Sequence, residues 1–394
     1  MKCRKPLGWP IVAVGSNKTP ALPSQSYGTS IPAFRIRNFL HVRPPRLTAI
    51  AFSLAAIGVS GIALAAPTLP DAVPRLLGQK PTVVTIEDRA GDPRIEKLLT
   101  QPSDLWERIR EGFRMPDLFD PHVRSYESWY VERPELFKAI LGRARRYLHF
   151  IVEELDRRGM PTELALLPIV ESGFDPRAMS PAQAAGLWQF IPGTATRFGL
   201  AQNERYDGRY DVVASTRAAL DYLEFLNGMM KDWHLALASY NWGENAVTRA
   251  VERNRLRGAR EEFSSLTMPE ETRRYVPRLQ AIKNLIADPA RFGIDLGALP
   301  NEPYFQVLPN PRLGERGTMS SETAAKLAGL SPNEFAALNP SWNHPRVSGD
   351  LGSGLVLPIE RVEQFETGFE RWREAQERAA QREPAKPRPR AARR

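Results

Sequence analysis

LALLPIVESGFDPRAMSPAQAAGLWQFIPGTATRFGL, residues 164–200, places one carboxylate, Glu171, at the end of an almost wholly apolar run (Leu164, Ala165, Leu166, Leu167, Ile169, Val170) and follows it at once with a turn, Gly173-Phe174-Asp175-Pro176. Such a segment faces a core and delivers an acid to a cleft. Burial disfavours the charged form of a carboxyl and raises its pKa, as a general acid working near neutral pH requires. The alternative is an acid solvated at a helix end. Further on, Ser180-Pro181-Ala182-Gln183 combines a capping Ser, a Pro at the first helical position and a Gln three residues after the cap, a pattern that predicts a new helix. On that helix Gly186-Leu187-Trp188-Gln189 would set a small residue, an aromatic and a neutral amide within one turn, suited either to a sugar ring or to core packing.

Beyond this stretch, Asp211 is a candidate cap for a helix with Ala218, Tyr222, Phe225 and Met229 on one face. Leu235 to Ser239 runs apolar into Tyr240-Asn241-Trp242-Gly243, where Asn241 and Gly243 suit a helix C-terminus. Met268 to Ile286 reads as a helix with Val276, Leu279, Ile282 and Leu285 inward, and Glu271 and Tyr275, four apart, share a side.

Glu171-Ser172, Ser180, Gly186-Leu187-Trp188-Gln189, Ser239-Tyr240-Asn241-Trp242-Gly243 and Glu271-Thr272-Arg273-Arg274-Tyr275-Val276 resemble, in order and spacing, the motifs of the soluble-lytic-transglycosylase-type (SLT, lysozyme-like) catalytic domain. The resemblance covers residues 95–360, more firmly 160–285. It implies a mainly α fold and a peptidoglycan lytic transglycosylase. Relatives work with one Glu: by resemblance, Glu171 protonates the glycosidic oxygen between N-acetylmuramic acid and N-acetylglucosamine, the acetamido group stabilises the oxocarbenium-like intermediate, and Glu171 then deprotonates the muramyl 6-hydroxyl. The product is a 1,6-anhydromuramyl end, formed without water and without a cofactor. Ser180, Gln189, Tyr240 and Asn241 would position the glycan, and Glu271 and Tyr275 would face the cleft. Two other readings stay open: a lysozyme-like hydrolase, which usually needs a second carboxylate, and a non-catalytic wall-binding protein.

Around this domain the 394 residues divide unevenly. The net charge of +9 is terminal: residues 1–46 hold eight Lys/Arg and no acid, residues 371–394 nine against three, so the body between is −5. That distribution, with no basic stripe interleaved with aromatics, argues against nucleic acid as a partner. Ala49 to Ala66 is an uncharged apolar run behind Arg43 and Arg46 that ends in Ala63-Leu64-Ala65. Residues 1–66 therefore read as a leader, either a signal peptide cleaved after Ala65 or a retained membrane anchor, and the expected location is the periplasm, free or membrane-associated. Cys3 is the only cysteine and precedes the apolar run, which excludes disulfides and thiol catalysis from a mature chain. No metal-spaced His/Cys cluster is present.

Residues 67–93 read as a Pro-containing linker and 94–160 as a helical N-terminal extension. It opens with a capping-box-like Asp104-Leu105-Trp106-Glu107 and continues in one long helix from Pro134, with Leu136, Ile140, Ala144, Tyr147, Ile151 and Leu155 apolar, until Gly159 and Pro161 stop it. The charges on its other face, Arg143, Arg145, Arg146 and Glu153, suit a solvated surface. Residues 161–290 are the SLT catalytic domain. Residues 303–360 resemble a degenerate LysM module, an α+β βααβ unit: helices at Ser320–Leu330 and Ser331–Asn339, a strand at Gly354–Pro358, and an insertion at His344–Asp350. The Arg/Pro/Ala-rich tail, 371–394, is expected to be disordered.

Overall fold

A computed structural model describes residues 101–204, 206–309, 318–342, 347–348 and 352–382. The leader, its apolar run and the linker lie outside the described residues. Among those described the fold is mainly α, and no helix is long and apolar enough to cross a membrane.

Helix α1, Leu105–Glu111, starts where the sequence predicts: the Asp104 carboxylate accepts from the amides of Trp106 and Glu107. It is clasped from far along the chain, Leu105 N donating to Leu299 O (2.7 Å) and Trp106 Nε1 to Gly297 O (3.2 Å). Helix α2, Pro121–Val131, follows, capped by Asp120. The single long helix expected from Pro134 is instead two, α3 (Pro134–Ala144) and α4 (Leu148–Arg158). Between them the bonding tightens to Tyr147 N→Ala144 O (2.9 Å), and Tyr147, almost fully buried, extends its hydroxyl to Ala337 O (2.7 Å). A distant contact thus turns the chain where local periodicity would continue it. Gly159 closes α4 in the left-handed conformation. The charged face is not merely solvated: Arg143 Nε donates to Gly173 O (2.8 Å), and Glu153 accepts from Arg108.

A 3-10 turn, Thr162–Leu166, leads into the short α5, Leu167–Glu171; every residue of this run before Glu171 is buried. Helix α6, Pro192–Arg197, α7, Val212–Met230, α8, Trp233–Trp242, α9, Glu244–Leu256, and α10, Glu270–Ala287, complete the main lobe. Ala218 and Tyr222 of α7 face the core as expected, but Phe225 and Met229 are exposed. Phe225 instead stacks beside Phe198 under the Arg197 guanidinium, 4.7 Å from its ring centroid. Val276, Leu279, Ile282 and Leu285 of α10 are buried, and this helix lies along α2.

In the last unit the expected βααβ series is extended to ββααββ. β1 (Phe305–Leu308) pairs antiparallel with β4 (Leu355–Pro358), Phe305 opposite Pro358, and between them come α11 (Ser321–Leu327) and α12 (Pro332–Leu338). A second small ladder joins β2 (Thr318–Met319) to β3 (Val347–Ser348), which falls inside the expected insertion; residues 343–346 and 349–351 lie outside the described residues. The unit has a core of its own around Phe335, Leu355 and Leu357, while Phe305, Leu338 and Val356 pack into the main core. Asp211 fastens it further. This carboxylate caps α7 through the amides of Val213 and Ala214 and also accepts from Tyr206 Oη (2.9 Å), Ser353 N (2.9 Å) and Ser353 Oγ (3.0 Å).

The expectation of disorder from residue 371 fails for its first twelve residues, since α13 runs from Ile359 to Arg382. Phe365, Phe369 and Trp372, at i, i+4 and i+7, stack at 5.8 and 5.9 Å and pack on the unit beneath, and Arg373–Glu377 and Arg378–Glu374 pair along the exposed side. Composition alone missed that apolar stripe. Residues 383–394 lie outside the described residues.

Candidate active site

Glu171 is the last residue of α5, with the buried Leu167, Pro168, Ile169 and Val170 behind it and its own side chain only partly accessible. The turn that follows is rigid. Gly173 and Phe174 both take left-handed backbone angles (φ 60° and 59°), a conformation that costs a bulky residue free energy. Phe174 is held there by complete burial, by stacking on Tyr147 and by its amide bonding to Pro168 O (3.1 Å). Ser172 Oγ donates to Leu187 O (2.9 Å), tying the acid's helix to the next stretch.

That stretch is not the expected helix. Residues 179–190 form turns joined by bridges between Met179 and Ala185 and between Ala185 and Phe190. Ser180 does cap, but it closes a tight turn: its amide donates to Ala184 O (2.8 Å) and its Oγ accepts from Ala184 N (3.0 Å). A helix is precluded by positive φ at Gln183 (61°), Gly186 (79°) and Gln189 (50°). Gly186 is required twice over, since a Cβ there would lie 1.9 Å from Arg209 O. Trp188 is buried completely, its Nε1 donating to Thr216 Oγ1 (2.9 Å), so it is core and no sugar platform. Gln189 spends its amide on the loop itself, Nε2 donating to Gly186 O (2.8 Å) and Ala178 O (3.3 Å).

Helices α8 and α10 bring the other candidates to Glu171. Tyr275 Oη donates to Glu171 Oε1, closing a contact between residues 104 positions apart. Tyr240, at the C-terminal end of α8, donates to Trp188 O (2.9 Å) and packs against Tyr222 and Phe190. Asn241 accepts from Thr272 Oγ1 (2.7 Å) and reaches Glu271 Oε1 at 3.5 Å. Tyr275 therefore bonds the acid directly, Tyr240 and Glu271 act on it electrostatically, and Asn241 is tied to Glu271 beside it. Ser180 and Gln189 join this group only through the backbone of the Ala178–Phe190 loop.

Electrostatics follow from this packing. Burial pushes the Glu171 carboxyl up to about 7; the Tyr275 hydroxyl and the Arg278 cation pull against that shift, and Glu271 adds to it. Burial and the neighbouring Glu171 raise the Tyr240 and Tyr275 hydroxyls well above the ordinary tyrosine value, so both stay neutral donors. Of the other carboxylates, Glu271 faces Glu171 from α10, and Asp175 accepts from Arg177 N within its own turn (2.9 Å). Among the described residues, no group of three or more His, Cys, Asp or Glu is placed to hold a metal ion. The arrangement can hold a proton near neutrality, donate it, and accept one back.

Sequence reasoning missed Arg278 and Tyr130. Their signal, an i, i+3 partner of Tyr275 and an aromatic on another helix, becomes legible only once α2 and α10 are seen side by side.

Comparison with known proteins agrees with the geometry. Residues 149–263 match the transglycosylase SLT domain. The chain is 38% identical to membrane-bound lytic murein transglycosylase D of Escherichia coli (strain K12) over 263 residues, 66% of this chain and 57% of that protein, and matches its counterpart in E. coli O6:H1 (strain CFT073) equally. It is 32% identical to membrane-bound lytic murein transglycosylase C of Glaesserella parasuis serovar 5 (strain SH0165) over 141 residues, 32% of this chain and 39% of that protein. The chain thus spans little more than half the length of the relatives it matches most extensively.

Proposed function

We propose, from the premise that residues 149–263 form a transglycosylase SLT domain, that the protein is a peptidoglycan lytic transglycosylase. It cleaves the β-1,4 bond between N-acetylmuramic acid and N-acetylglucosamine and leaves a 1,6-anhydromuramyl end. The observation that carries the reading is the buried glutamic acid Glu171, hydrogen-bonded by the neutral Tyr275 hydroxyl, with its carboxyl pushed up to about 7.

In this reading Glu171 gives its proton to the glycosidic oxygen as the C1–O bond breaks. The substrate's acetamido group meets the positive charge at C1, and the Glu171 carboxylate then removes the proton of the muramyl 6-hydroxyl as that oxygen bonds to C1. The carboxyl ends as it began, so one residue serves as acid and then as base. No water enters, and the product masses sum to that of the substrate. Tyr240, Asn241 and Glu271 line the groove, where fixed donors and acceptors contribute orientation. Gln189 and Ser180 act by holding the Ala178–Phe190 loop, whose Trp188 carbonyl anchors Tyr240.

The boundaries read from the sequence complete the proposal: a helical extension (94–160) and a LysM-like unit (303–360), whose two helices between the paired strands β1 and β4 support that label, flank the catalytic domain (161–290). The apolar run 49–66 and the words "membrane-bound" in the relatives' names support a periplasmic, membrane-associated protein. Peptidoglycan strands are the partner, with no cofactor.

Mass spectrometry of muropeptides released from purified peptidoglycan tests the reading. Anhydromuramyl products from the wild type, lost in Glu171→Gln, are expected. Reducing ends one water heavier would make the protein a hydrolase, and wall binding without release would make it a scaffold.

A further inference from the structure

Arg278 lies one turn beyond Tyr275 on α10. Its Nη1 donates to Val170 O (3.3 Å), the carbonyl directly before Glu171, and its Nε donates to Tyr130 Oη (3.0 Å). The guanidinium carbon sits 6.0 and 5.9 Å from the ring centroids of Tyr126 and Tyr130. Tyr130 belongs to α2 in the N-terminal extension. It is fully buried and wedged between Trp129 (4.9 Å, edge-on) and Phe137 (5.1 Å), so its hydroxyl has a fixed position. Tyr126, Tyr130, Tyr275 and Arg278 all fall outside the matched segment 149–263.

The geometry answers a local need. Helix α5 has only five residues, and its last carbonyls lack partners within it. Pro168 O takes the amides of Ser172 and Phe174, and Val170 O takes Arg278. A cation at a helix C-terminus also faces the negative end of the peptide dipoles.

We propose that Arg278, held by Tyr130 of the N-terminal extension, is a positioning residue for Glu171: it pins the carbonyl ahead of the acid and sets one positive charge behind its carboxylate. The inference rests on the reading of Glu171 as acid and base. When Glu171 gives up its proton, a carboxylate appears in a largely enclosed place, and the nearby guanidinium stabilises it without moving. The ionisable groups facing Glu171 are Tyr275, Arg278 and Glu271 from α10 and Tyr240 from α8. Glu163, on the 3-10 turn before α5, is engaged elsewhere, with the amides of Arg114 and Met115 and with Lys283. Arg278 is thus the cation of this set, and it opposes the upward push of burial on the carboxyl.

The test uses the full chain as wild type, Arg278→Met, Arg278→Lys and Tyr130→Phe. The Glu171 carboxyl ¹³C shift is followed against pH, with Glu171→Gln assigning the signal, and kcat and KM are measured on purified peptidoglycan. Arg278→Met is expected to raise the Glu171 midpoint by about one pH unit, and Arg278→Lys, which keeps the charge, to return it toward wild type. Tyr130→Phe should lower kcat several-fold at unchanged KM. A midpoint in Arg278→Met equal to wild type overturns the proposal. If that variant does not fold, Tyr130→Phe decides: wild-type kcat overturns it. A wild type that releases no anhydromuramyl product would defeat the functional reading alone, because the titration needs no turnover.

Discussion

Replacing Glu171 by Gln should stabilise the protein, and only at high pH. In the unfolded chain this carboxyl titrates near 4.5, whereas burial in the folded lobe lifts it to about 7. The folded state therefore holds its proton more tightly than the unfolded one. The sign follows by linkage: stability associated with the proton is fully present below about 4.5 and is lost as pH rises, until the carboxyl is ionised in both states above about 7. At about 1.4 kcal/mol per pH unit, the gap corresponds to about 3 kcal/mol of strain at pH 8. Glutamine is neutral at every pH, is nearly isosteric with the protonated acid and still offers Tyr275 an acceptor. Denaturant unfolding of both proteins from pH 4 to 8.5 should show near-equal stability at the acid end, a difference that opens between 4.5 and 7, and a plateau above. A difference that does not vary with pH would refute the buried, proton-holding acid and return Glu171 to an ordinary solvated helix end.

Two neighbours of Glu171 should shift the alkaline limb of kcat/KM in opposite directions. Tyr275→Phe removes a hydrogen bond that favours the anion, so the limb should move up; Glu271→Gln removes a like charge, so it should move down. Shifts of the same sign in pH–rate profiles would contradict the network described. Asp211→Ala strips one carboxylate from a helix cap, from Tyr206 and from Ser353 together, and should cost about 3 kcal/mol in denaturant unfolding. A loss below about 0.5 kcal/mol would show that water replaces those bonds freely.

Much of the fold was legible because its signals are local. Asp104 and Asp211 cap their own helices, Gly159 ends one in the left-handed conformation, and the apolar spacing of Val276, Leu279, Ile282 and Leu285 fixes the buried face of α10. The apolar run ending at Glu171 likewise announced a buried acid. Where the sequence misled, a distant group had intervened. Ser180-Pro181 reads as a helix start, but the approach of the Arg209 carbonyl to Gly186 and the left-handed Gln183 and Gln189 force a looped path. Tyr147 ends α3 because its hydroxyl finds Ala337, 190 residues away. In the tail, Arg and Ala dominate the composition, yet Trp372 continues an aromatic stripe begun just before it by Phe365 and Phe369, and the helix runs on. Within the site, the motifs single out Glu171, Tyr240, Asn241, Glu271 and Tyr275, which the helices bring near one another. Gln189 belongs to the same motifs, and its amide nitrogen bonds within its own loop. The i, i+3 spacing of Arg278 from Tyr275 says little by itself, because what matters is the Tyr130 that α2 sets opposite it.

The bond between Tyr275 and Glu171 spans 104 residues of chain, and that separation has a meaning in time. A ribosome adding 5–20 residues per second reaches Tyr275 about 5–20 s after Glu171. During that interval the acid lacks the hydroxyl that orients it and the helix that encloses it, so the carboxyl remains an ordinary solvated one. A chain cut short before α10 would carry the glutamate and the Gly-Leu-Trp-Gln loop yet have no neutral-pH acid.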